Sequence, residues 1–107
     1  MSHPTGIHVA GRWHPGASRI ENRNPSDLSD LIGDYGQADA ALLDEALAAA
    51  QRAQPVWCHA GVQKRHDVLI AISTDLMARA DEIGRLVSRE EGKPLAEGRG
   101  EVYRAGQ

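Results

Sequence analysis

Two hydrophobic periods divide the chain. Residues 6–13 read Gly-Ile-His-Val-Ala-Gly-Arg-Trp, with Ile7 and Val9 flanking His8, the two-residue repeat of a half-buried strand. Ala10-Gly11 is a tight-turn pair, because glycine takes positive φ without penalty, and Arg12-Trp13-His14 returns as a second short strand. Pro15-Gly16-Ala17-Ser18 has loop composition and precedes a further extended run, Arg19 to Arg23. Asn24-Pro25 closes that run, since a proline pushes the residue before it out of helical backbone angles. Ser26 to Asp30 then reads as a turn, and Leu31 to Tyr35 as another short strand. The pattern predicts a small antiparallel arrangement.

After Gln37 the repeat lengthens. Asp39 is a good N-cap, its carboxylate placed to accept from the open N–H groups of a first helical turn. Leu43, Ala46, Leu47 and Ala50 then share one helical face. Pro55 is expected to end this helix near Gln54, with Trp57 packing across the corner that follows. A second helix is predicted from about Val62 to Arg79, with Leu69, Ile72 and Leu76 on its buried side. Asp81 restarts or continues the helix, with Ile83, Leu86 and Val87 as the next apolar set. Glu90-Glu91-Gly92-Lys93-Pro94 is a break: Gly92 suits a left-handed cap and Pro94 the first position of a last helix, Leu95 to Gln107, carrying Leu95 and Val102.

Composition sharpens this picture at one point. A length of 107 residues allows one domain at most, and the 41% hydrophobic and 25% charged fractions are ordinary for a globular protein. Phenylalanine is absent, however, and Trp13, Tyr35, Trp57 and Tyr103 are the four aromatic residues. Aromatic side chains carry much of the burial in a small core, so an Ala- and Leu-rich chain of this size is expected to pack its helices against more protein. No stretch approaches the roughly 18 apolar residues of a membrane helix, and the first residues lack the basic start and apolar run of a secretory signal. Cys58 is the single cysteine, which fits a reducing compartment. A net charge of −3 argues against a phosphate-binding footprint. These features predict a cytoplasmic protein that binds neither nucleic acid nor membrane.

The reactive side chains form no familiar constellation. Cys58 and His59 are adjacent, whereas a nucleophile and its base usually come from separate parts of a fold; the cysteine reads as structural or incidental. His3, His8, His14, His59 and His66 show no metal-ligand spacing and read as solvated or loop histidines. Gly98-Arg99-Gly100 is a lone G-x-G inside a helical pattern, explained at least as well by close packing against a neighbour as by a nucleotide. Gln63-Lys64-Arg65-His66 reads as a solvated basic face. Glu97 and Glu101 share a helix face, with Glu90 and Glu91 nearby, and read as surface charge unless a cavity adjoins them. Residue chemistry alone therefore yields no catalytic and no cofactor-binding residue.

The order of segments adds what the chemistry lacks. Ile7-His8-Val9-Ala10-Gly11-Arg12-Trp13 is similar to the hairpin that opens NAD(P)-dependent aldehyde dehydrogenases, and Glu21-Asn22-Arg23-Asn24-Pro25 resembles their extended segment and Asn-Pro turn. Gln54-Pro55-Val56-Trp57 looks like the end of the family's first helix. Most specific is Arg89-Glu90-Glu91-Gly92-Lys93-Pro94-Leu95-Ala96-Glu97, followed by Glu101-Val102, which resembles the family's E-x-G-K-P-L-x-E element. The resemblance runs in order from Gly6 to Gln107. Residues 88–93 and 100–107 look most like the bacterial α-ketoglutarate semialdehyde (2,5-dioxovalerate) dehydrogenases.

The resemblance implies an α/β fold, with short antiparallel strands followed by three to four helices that pack on a Rossmann-like domain. Residues 1–107 would be the N-terminal portion of the nucleotide-binding domain, with Met1 a native start and the catalytic domain absent. The parent enzyme would oxidise an aldehyde to a carboxylic acid with NAD or NADP, as a homodimer or homotetramer. The family's nucleophile, base, oxyanion asparagine and nucleotide turn lie downstream of the matched region, so this chain alone is expected to bind no cofactor and to serve as scaffold for the rest of the polypeptide. The resemblance further implies a monovalent structural cation held by backbone carbonyls before the Asn-Pro turn and by an acidic residue of the last helix. The matching positions are Asn22, Arg23 and Glu101, whose oxygens suit a hard cation; an ordinary capped turn near a surface glutamate is the simpler reading of the same residues. The alternative reading is a stand-alone helical interaction module without enzyme activity.

Overall fold

A computed structural model describes residues 5–107. The described elements are β1 (Ile7–Val9), β2 (Arg12–His14), β3 (Ser18–Asn24), β4 (Asp27–Gln37), α1 (Ala40–His59), α2 (Val62–Ala78), α3 (Ala80–Glu91) and α4 (Leu95–Gly106). The strands form two separate two-stranded sheets, β1–β2 and β3–β4. The chain divides into two compact units. One takes residues up to Asn22 and Gly33–Ala60; the other takes Arg23–Ile32 and Gly61–Gln107.

In the first unit, β1 and β2 pair antiparallel with Ile7 opposite His14 and Val9 opposite Arg12. Ala10 (φ 51°) and Gly11 (φ 80°) make the turn, and positive φ at both positions matches the twist of a two-residue hairpin. A left-handed alanine carries about 1 kcal/mol of steric strain. Replacing it with asparagine, which tolerates this conformation, should raise stability by about 0.5–1 kcal/mol, read as a higher urea midpoint at unchanged slope. The base of the second ribbon is tied in by Arg19, whose Nε donates to Asp34 Oδ2 at 2.9 Å. The Gly36 N–H donates to the Thr5 carbonyl at 2.8 Å and the Ala17 N–H to the Gln37 carbonyl at 2.9 Å.

Helix α1 begins as the sequence predicts, with the Asp39 carboxylate accepting from the Leu42 N–H at 2.9 Å. Its packed stripe and its end both differ from expectation. The residues facing the hairpin around His8, Val9 and Ala10 are Ala46, Ala49, Ala50 and Ala53, while Leu43 and Leu47 are each 55% exposed. Ala46 and Ala49 are half-buried there while Ala50 and Ala53 stay exposed, so the hairpin covers only part of this alanine face. The helix also continues through Pro55 to His59. Proline loses its own N–H bond and its ring crowds the carbonyl four residues back, and with the helix end only four residues beyond Pro55 α1 continues past it. The ring Nδ1 of His59 donates to the Pro55 carbonyl at 2.7 Å, and the Ala60 N–H caps the Trp57 carbonyl. Trp57 accordingly sits within α1, 43% exposed, rather than at a corner.

In the second unit the ribbon tip turns at Pro25-Ser26, and β4 already begins at Asp27. The predicted turn over Ser26 to Asp30 is thus shorter and the strand longer. The side chain of Asn24 accepts from the Ser26 N–H at 2.9 Å, which closes the reversal locally and frees the following residues to pair. Helices α2 and α3 break at Arg79 (φ −107°, ψ 17°), and α3 begins at Ala80, one residue ahead of the expected restart at Asp81. Gly92 ends α3 in the left-handed conformation (φ 73°). Pro94 caps α4 rather than opening it, and Leu95 is its first residue.

The tightest packing lies between α3 and α4. Gly84 and Gly98 face each other so closely that a Cβ on Gly98 would stand 2.5 Å from the Gly84 carbonyl oxygen and 2.6 Å from Ser88 Oγ. Gly106 lies against Met77, and Ser73 Oγ donates to the Gly106 carbonyl, joining α2 to α4. Among the described residues the buried hydrophobic positions are Val9, Ala80 and Val102, and no large side chain is fully buried. Leu69 and Ile72, expected to be buried on α2, are 59% and 52% exposed. Leu95 is also exposed. Leu76 and the α3 set Ile83, Leu86 and Val87 are half-buried. The apolar arc of α2 is wider than the face α4 covers, a pattern that suits a helix enclosed on several sides.

Candidate functional site

Two of the sequence elements that carry the resemblance, the Asn24-Pro25 turn and the segment around Gly92, meet in the second unit. The Asn24-Pro25-Ser26 turn meets the cap at Gly92, where an added Cβ would stand 3.0 Å from Pro25 Cγ and 2.9 Å from Ser26 Oγ. Beside it, Arg89 of α3 grips Asp30 of β4 with two parallel bonds, Nε to Oδ2 at 2.9 Å and one terminal nitrogen to Oδ1 at 2.5 Å. Asn24 Nδ2 donates to the same carboxylate at 3.2 Å. This two-point geometry matches the planar guanidinium to the planar carboxylate.

The Arg89 hydrogen bonds, with those from Asn24 and the positive charge of Arg89, outweigh partial burial and hold the Asp30 carboxyl down to about 2, against its ordinary 3.8. A carboxyl whose pKa is lower in the folded state contributes stability above its unfolded value, and loses it as pH falls through the folded value. The contribution of Asp30 is therefore whole above pH 3.8 and disappears toward pH 2. Asp30→Asn should flatten the stability–pH profile across that window while leaving its shape near neutrality unchanged, as followed by denaturant unfolding at stepped pH.

Just beyond the cap, Lys93 reaches Glu91 Oε2 at 2.6 Å and also donates to Glu101. Its side chain is only 19% exposed. The two carboxylates, Glu101 foremost and Glu91 after it, raise the lysine pKa above its ordinary value despite partial burial. Lys93 thus pins the three-residue link between α3 and α4 to both helices. Arg79 does similar work at the preceding corner, bonded to Glu82 at 3.0 Å and Asp75 at 3.3 Å. Arg99 pairs with Asp81 at 2.7 Å.

The expected ligands of a monovalent cation fall as follows. Asn22 and Arg23 lie on β3, Asn22 in the first unit and Arg23 in the second, and Glu101 lies on α4 with the Lys93 ammonium on its carboxylate. Among the described residues no group of three or more His, Cys, Asp or Glu is placed to hold a metal. Glu97 and Glu101 share a helix as predicted. Glu97 sits in the first turn, where the helix dipole favours an acid, and Glu101 serves the lysine. Cys58 is exposed near the end of α1.

The histidines divide differently from expectation. His8 is exposed and packs against Trp13 with ring centroids 5.0 Å apart. His59 and His66 are exposed on helices, and His3 lies outside the described residues. His14 is half-buried, beside an open cleft of about 350 Å³ also lined by Asp39, Leu42 and Glu45, and its Nε2 is buried without a hydrogen-bond partner. Its position on a strand whose next residue is proline gave no sign of this. The Gly98-Arg99-Gly100 motif is a packing feature at Gly98, whereas a Cβ on Gly100 would meet nothing.

A nicotinamide dinucleotide is held at the end of a parallel sheet, by a glycine-rich turn leading into a helix. Both described sheets are two-stranded ribbons, and none of the residues placed here fits that group. The contacts described above are turns, caps and ion pairs that tie α3 and α4 to each other and to the ribbon tip.

Two-stranded ribbons followed by four helices define an α/β architecture. The family model for the aldehyde dehydrogenase family matches residues 13–107, and the chain belongs to that family. It is 35% identical over 101 residues to aldehyde dehydrogenase family 7 member B4 of Arabidopsis thaliana, which covers 94% of this chain and 20% of that protein. It is also 35% identical over 85 residues to the acylating methylmalonate-semialdehyde/malonate-semialdehyde dehydrogenase of human mitochondria, covering 79% of this chain and 16% of the relative. The NADP-dependent glyceraldehyde-3-phosphate dehydrogenase of Bacillus halodurans C-125, solved with NADP, superposes with a TM-score of 0.91 at 26% identity, over 98% of this chain and 22% of that one. The chain spans about a fifth of the length of the relatives it matches. No described helix is long and apolar enough to cross a membrane.

Proposed function

We propose that this chain is the N-terminal portion of the nucleotide-binding domain of an NAD(P)-dependent aldehyde dehydrogenase, and that its own role is scaffold. The observation that carries this reading is the convergence of the Asn-Pro turn, the Asp30–Arg89 pair and the Gly-Lys-Pro link in one unit. The exposed leucines and isoleucines of α1 and α2 support it, because an apolar face this open suits a segment covered by more protein.

Within that reading the parent enzyme oxidises an aldehyde to a carboxylic acid, works in the cytoplasm and assembles as a dimer or tetramer. NAD or NADP accepts the hydride when bound. This chain contributes the rigid joint against which the cofactor-holding part is placed. α-Ketoglutarate semialdehyde is the substrate to test first, on the strength of residues 88–93 and 100–107. A monovalent cation on Asn22, Arg23 and Glu101 is part of the proposal through resemblance; oxygen donors suit it, while the Lys93–Glu101 pair competes for one of them.

The test is turnover of α-ketoglutarate semialdehyde, followed by absorbance of the reduced nicotinamide, with the 107-residue chain and with a polypeptide that joins it to a family catalytic region. The joined polypeptide should turn over and the short chain should show no rate above buffer. Robust turnover by the short chain alone would overturn the scaffold role, and an inactive but folded joined polypeptide would overturn the substrate.

A further inference from the structure

We draw no further inference here: the strongest candidate, the open apolar flank of α2 at Val62, Leu69, Ile70 and Ile72, already supports the proposed scaffold role, and nothing in the structure shows what else covers it.

Discussion

Gly98→Ala should lower the stability of the second unit by about 2–3 kcal/mol, whereas Gly100→Ala, two residues on, should raise it by about 0.5–1 kcal/mol. Both substitutions add one methyl to the same helix, and both gain from alanine's better helix propensity. They differ only in what the methyl meets. At Gly98 it enters the α3–α4 crossing, 2.5 Å from a backbone carbonyl that cannot swing aside as a side chain can. At Gly100 nothing lies within 4 Å. Urea unfolding of the two variants side by side checks this. Equal effects would mean that α3 and α4 do not touch backbone to backbone at Gly84.

Gly92→Ala should cost about 2 kcal/mol, from two sources of comparable size. One is the left-handed φ of 73°, which strains any residue with a Cβ. The other is the contact of that Cβ with Pro25 and Ser26. Gly92→Asn separates them, because asparagine visits this conformation readily but still carries the Cβ. It should cost about 1 kcal/mol, most of it contact. Denaturant midpoints for both variants, repeated in a Pro25→Ala background, should show the contact part shrinking when its neighbour is trimmed. Additive losses would mean that the cap and the ribbon tip are independent.

What could be read in advance follows from how local each signal is. The Ala10-Gly11 turn, the Asp39 cap, the Gly92 cap and the four helices all depend on residues within a few positions of one another, and each lies within two residues of where the pattern places it, save the end of α1, which runs on from Gln54 to His59. The helix faces depend on what covers them, and there the reading fails. By period Leu43, Ala46, Leu47 and Ala50 share one helical face, yet the hairpin lies beside the alanines and both leucines are 55% exposed. Leu69 and Ile72 have the periodicity of a buried face, yet lie largely exposed. Pro55 breaks a helix only where the next turns are needed, and here just one remains.

The joint itself was legible only as a resemblance of motifs. Nothing in the order Asn24-Pro25, Asp30, Arg89, Gly92 says that these residues meet, because 59 positions separate the arginine from its carboxylate. By contrast the G-x-G motif could be weighed correctly from its setting, since a glycine pair inside a helical period more often marks a close crossing than a phosphate cradle.

That separation also sets an order in time. The α3–α4 hairpin closes over contacts local in sequence, with Lys93 and Glu101 only eight positions apart, and short loops close quickly. The ribbon tip also closes on near neighbours, Asn24 bonding Ser26 and Asp30, but its tie to the helices waits for Arg89. A ribosome adding roughly 5–20 residues per second presents Asp30 about 3–12 s before Arg89 exists to receive it. Through that interval the Asp30 carboxylate stands without the guanidinium that holds it in the finished unit.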